Sequence, residues 1–62
     1  MNKDDFIKRV KDLGYTVREH GDTVEAMNDK KEGYFLTANN GVVTKIVDGL
    51  PTYVYVSEKN IT

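Results

Sequence analysis

Phe6, Ile7, Val10 and Leu13 recur at the i, i+1, i+4, i+7 spacing of one helical face, with polar residues between them. That period predicts a helix over Lys3 to Leu13. Both ends carry matching chemistry. Asn2 stands where an N-cap side chain takes up a free backbone donor, and Asp4 and Asp5 place negative charge at the positive end of the helix dipole. Lys8, Arg9 and Lys11 lie toward the other end, and Gly14 follows the last apolar residue as a helix-ending glycine does.

Beyond Gly14 the period falls to two. Strands are expected at residues 15–20, 23–27, 34–38, 42–47 and 50–56. Gly21-Asp22 or His20-Gly21 joins the first pair, and the polar run Asn28 to Gly33 is a loop. Asn40-Gly41 and Asp48-Gly49 each sit between β-branched runs and supply the positive φ angles of a two-residue hairpin turn. Pro51 lacks a backbone donor and suits an edge strand. Residues 57–62 are polar apart from Ile61 and are expected to fray. No repeat, low-complexity tract or linker interrupts the chain. The expected fold is α+β: residues 1–62 form a single small domain, an N-terminal helix packed on an antiparallel meander of four or five strands.

The alternation also assigns faces. Either choice of first turn puts Tyr15, Val17, Val24 and Ala26 on one side. Two-residue loops at the later turns pair Ala38 and Val54 with Val43, Lys45 with Leu36, and both Tyr34 and Leu50 with Val47. That side, with Val56, is mostly aliphatic and is expected beneath the helix. The core is therefore expected to hold Phe6, Ile7, Val10, Leu13, Tyr15, Val17, Val24, Leu36, Val43 and Val54. The opposite side carries Phe35, Val42, Ile46, Tyr53 and Tyr55, with Val42 facing Tyr55 and Thr44 facing Tyr53.

This second face is not polar, although one side of a half-covered antiparallel sheet usually is. A helix about 10 Å across shields only two or three strands spaced about 4.8 Å apart. Aromatic and β-branched residues are ordinary strand formers, and cross-strand pairs of them stabilise a hairpin unaided. Apolar surface left uncovered is hidden by curling the sheet, by self-association or by another partner. Phe35, Val42, Ile46, Tyr53 and Tyr55 are therefore the candidate interaction surface.

Size and charge narrow the options. A chain of 62 residues buries only about 60% of its unfolded surface. It has no cysteine, which removes disulfides and thiolate zinc sites. Nine basic and ten acidic residues give a net charge of −1, too balanced to draw in nucleic acid or an acidic membrane. No run approaches the roughly 18–20 apolar residues of a membrane span. The polar, acidic N-terminus is unlike a signal peptide, so a soluble cytoplasmic protein is expected. Lysine outnumbers arginine and asparagine and isoleucine are well used, a composition leaning toward a bacterial or phage source.

Catalytic constellations are not evident. His20, the one histidine, has Glu19 and Asp22 nearby, but strand alternation sends Glu19 and His20 to opposite faces. No second histidine or cysteine completes a zinc site. Ser57 has no base placed to activate it. Asp4, Asp5 and Asp12 interleave with Lys8 and Lys11 as a solvated helix face. The glycines are spaced as turns rather than as a phosphate-binding loop. No enzyme activity, cofactor, metal or small-molecule substrate is expected. The expected function is a non-catalytic protein-interaction module that binds itself or another protein through the sheet face. The alternative is a single-stranded nucleic-acid binder stacking bases on Phe35, Tyr53 and Tyr55, with Arg18 the only strand-borne base on that face.

Overall fold

The computed structural model describes residues 1–38 and 41–62. Helix α1 (Lys3–Asp12) leads into five strands: β1 (Thr16–His20), β2 (Thr23–Met27), β3 (Gly33–Leu36), β4 (Val43–Val47) and β5 (Leu50–Tyr55). A short 3-10 turn (Glu58–Asn60) follows. The strands pair antiparallel in chain order, so β1 and β5 are the two edges and Pro51 lies on one of them. The expected α+β meander is the fold that forms.

The helix starts where its cap chemistry places it. Asn2 Oδ1 accepts the Asp5 N–H at 2.8 Å. Phe6 and Val10 are completely buried against the sheet. Gly14, at φ +92°, reverses the chain and lets the Tyr15 N–H reach the Val10 carbonyl at 3.0 Å. The helix ends one residue earlier than expected, at Asp12. Leu13 caps it at the reversal and is 41% exposed instead of lying in the core.

The turns combine agreement with two corrections. Gly21-Asp22 joins β1 to β2, with positive φ at Gly21 alone, as a type II′ turn requires. Asp48 and Gly49 have φ of +55° and +80°, the type I′ pattern, and Val47 pairs with Leu50 as expected. The β3–β4 register differs by two residues. Leu36 pairs with Val43 and Tyr34 with Lys45, and the Thr37 N–H donates to the Val42 carbonyl at 2.9 Å. Four residues, 38–41, thus separate paired Thr37 from Val42; Asn40 of the expected turn lies outside the described residues. The observed register sets buried Leu36 against buried Val43, where the expected one set Leu36 against Lys45. The shift is even, so every side chain of these strands keeps its face.

The second correction is a bulge in β5. Ile46 pairs with Pro51, but Thr44 pairs with Tyr55, leaving Thr52, Tyr53 and Val54 against Lys45 alone. The Thr52 hydroxyl supports the irregularity by donating to the Lys45 carbonyl at 2.8 Å and accepting the Val54 N–H at 3.3 Å. Val43 consequently lies beside Val56, whose N–H reaches the Val43 carbonyl at 2.9 Å, and not beside Val54. Thr44 faces Tyr55 rather than Tyr53, and Val54, expected in the core, is 59% exposed.

The core comprises Phe6, Val10, Val24, Ala26, Tyr34, Leu36, Val43 and Ile61, with Ile7, Tyr15, Val17 and Val56 packed around it. Ile61 overturns the expectation of a frayed end. The last residues return beneath the helix, and Ile61 is fully buried. Arg9 Nη2 donates to the Ile61 carbonyl at 3.0 Å, and the Tyr15 hydroxyl donates to the Thr62 carbonyl at 2.8 Å. The Thr62 N–H donates to the Tyr34 oxygen at 3.2 Å.

Candidate interaction surface on the last hairpin

Helix α1 packs over β1 and β2, at the far side of the sheet from β5. β5 therefore lies beyond the strands that the helix packs on, although Val43 of β4 joins the core with Phe6 and Val10. Among the described residues the exposed large apolar side chains are Leu13, Val47, Leu50, Tyr53, Val54 and Tyr55. All but Leu13 lie on this hairpin. Tyr53 is 98% exposed and Tyr55 77%: both lie on an edge strand, and Tyr53 stands within the bulge, out of register with β4.

Beside these residues lies an open groove of about 460 Å³. Val42, Val43, Tyr55 and Val56 form its apolar wall, Met1 and Gly41 close one end, and Ser57 and Glu58 stand at its polar rim. The Met1 nitrogen donates to the Gly41 carbonyl at 2.9 Å. A Cβ at position 41 would overlap the Met1 carbonyl, so the close approach itself requires glycine. A concave, mostly apolar site of this size with a few polar groups is the form binding pockets take.

The five expected surface residues separate into three environments. Tyr53 and Tyr55 are exposed on the edge strand, and Val42 and Tyr55 line the groove. Phe35 is half-buried on the face away from the helix, in register with Glu25 and Thr44. Ile46 is not a surface residue. It is fully buried between Gly33 and Pro51 in the pairing, on the side of the sheet that no helix covers. Thr44 on that side is also buried, and among the described residues its hydroxyl has no hydrogen-bond partner. The twisted sheet thus covers part of its second face by itself. Sequence reasoning missed Met1, Val56, Ser57 and Glu58 in the groove. They come from distant parts of the chain, and only the bulge sets Val56 beside Val43.

The surface carries little charge. No ionisable side chain other than the two tyrosines lies between Leu50 and Ser57. Arg18 stands opposite Glu25 in the pairing, and Lys45 belongs to the other face. His20 is exposed beside its turn, while Glu19 is engaged by Lys3 at 3.0 Å, a hydrogen bond that raises the Lys3 ammonium above the ordinary lysine value. Among the described residues no three metal-binding side chains converge. Tyr15 and Tyr34 meet edge to face at 5.6 Å. Burial, and then the neighbouring Tyr34, push the Tyr15 phenol up. Burial also pushes Tyr34 up, but the Thr62 hydrogen bonds and the Lys45 charge bring it below the ordinary value on balance. Both phenols are occupied in holding residues 60–62.

No family model matches this chain, and no curated protein or solved structure matches it either. Among the described residues no helix is long and apolar enough to cross a membrane.

Proposed function

We propose that this chain is a small non-catalytic protein-interaction module whose binding surface is the β4–β5 hairpin with its adjoining groove. The supporting observation is the gathering of exposed Val47, Leu50, Tyr53, Val54 and Tyr55 on one edge hairpin. Exposed apolar side chains gathered on one element mark interaction sites, and tyrosine is prominent among residues that dominate interface energies. An edge strand adds unpaired backbone groups that another chain can engage.

The test is photo-crosslinking in the expressing cell. A photoreactive amino acid in place of Tyr53 should form covalent adducts with protein. The same group in place of exposed Thr16, on the opposite edge strand, serves as the control. Adducts confined to position 53 are the expected result. No protein adduct at 53, or equal labelling at both positions, rejects this surface.

A further inference from the structure

We propose that the occupant of the groove is Tyr53 of a second copy of this chain, inserted reciprocally across a two-fold axis at the β5 edge. This deepens the interaction-module reading and rests on it. The side chain of Tyr53 is almost wholly in solvent, yet it sits only two residues from Tyr55, which lines the groove. At about 3.3 Å per residue, knob and hole are therefore close neighbours along one strand. Antiparallel apposition of two β5 strands about Val54 sets each Tyr53 opposite Tyr55 of the second copy, at the mouth of its groove. One rotation thus satisfies both insertions, as an isologous interface requires.

The chemistry of the two parts agrees. A groove of about 460 Å³ has room for a phenol ring, its walls are apolar, and Ser57 and Glu58 at the rim offer acceptors for the hydroxyl. The Val56 N–H is used by Val43, so strand alternation turns the Tyr55 backbone groups toward the open edge. Leu50 to Ser57 carries no charged side chain at neutral pH, and the Glu58 carboxylate beside it lies 3.9 Å from the Met1 ammonium, so two copies of this edge meet with little like-charge repulsion. The other edge strand, β1, carries Arg18, Glu19 and His20, and β5–β1 contacts would extend indefinitely instead of closing. Each tyrosine contributes about 150–250 Å². Together with Leu50 and Val54 they approach the roughly 800 Å² per partner of a stable interface.

The experiment is sedimentation velocity on the full chain over about a hundredfold concentration range, with two variants whose helical circular dichroism is first matched to the parent. Tyr53→Ala removes the knob from a fully exposed position. Ser57→Trp blocks the groove from an exposed rim position. The parent should dimerise reversibly, and each variant should associate more than about tenfold more weakly. An equimolar mixture should associate more tightly than either variant alone, because one copy retains a knob and the other an open groove. A monomeric parent, an unaffected Tyr53→Ala variant, or a mixture no tighter than its components each overturns the proposal. Crosslinking from position 53 to a different protein, with a monomeric parent, overturns the second copy as occupant while leaving the interaction module intact. The absence of any adduct at 53 overturns both.

Discussion

Thr44 carries a hydroxyl that is buried on the uncovered side of the sheet with no partner among the described residues. An unsatisfied buried hydroxyl costs about 1–3 kcal/mol relative to an apolar group of the same shape. Thr44→Val keeps the shape and the β-branching. It should raise stability by about 1 kcal/mol, read as a higher urea midpoint at unchanged slope. A lower midpoint would mean that the hydroxyl is bonded after all. Gly33 shows another constraint at this scale. A Cβ there would overlap the Ala26 carbonyl, so the first residue of β3 is glycine for want of space. Neither feature was legible in the sequence, because threonine and glycine at strand positions look the same whether or not a neighbouring strand presses on them.

At the scale of elements, legibility followed the range of the interactions that set each one. The α1 cap at Asn2, the Gly14 reversal and the Asp48-Gly49 turn depend on residues a few positions apart, and all three formed as expected. The β5 bulge rests on a Thr52 hydroxyl taking over backbone bonding, which leaves no mark in the hydrophobic period. Its consequence reached the candidate surface: Val54 turned outward, and Val56, already expected on the helix side, took the place beside Val43. Ile46 keeps its expected pairing with Pro51 and is interior for another reason, the cover that neighbouring strands give it. Tyr53 and Tyr55 are exposed as the sequence suggested, because an aromatic pair on an uncharged final strand is visible without the register.

The 28–32 loop is another element held by local bonds. Asn28 Oδ1 accepts the N–H groups of Lys30 and Glu32 at 2.9 and 3.1 Å, and its own N–H reaches the Glu32 carbonyl at 2.9 Å. This folds Lys31 into the left-handed region at φ +60°, and the Lys31 carbonyl then accepts the Gly49 N–H at 2.8 Å. Two turns at one end of the sheet are thereby tied together. Asn28→Ala should cost about 1–2 kcal/mol in chemical denaturation, while Asn28→Asp, which keeps the acceptor, should cost less. Equal losses for both would place the role of Asn28 elsewhere.

Across the whole molecule, one late residue completes the core. Ile61 fills the space beneath α1, and Arg9, Tyr15 and Tyr34 hold the backbone on either side of it. Ile61→Ala should remove about 2–4 kcal/mol in urea unfolding. A chain of this length has only about 3–9 kcal/mol of stability. The loss should therefore leave a substantial fraction unfolded, whereas Ile61→Val should cost about 1 kcal/mol. A near-neutral alanine variant would show that the residue is only laid against the core.

The same closure has a consequence for biosynthesis. Residue 9 bonds to residue 61, so the longest-range contacts of the fold are among those that seal it. A nascent chain can form α1 and pair its first strands while its later residues are still inside the ribosome. Its apolar interior nevertheless stays open at one end until position 61 has emerged. For that interval the growing polypeptide offers chaperones and proteases a gap that the finished molecule does not have.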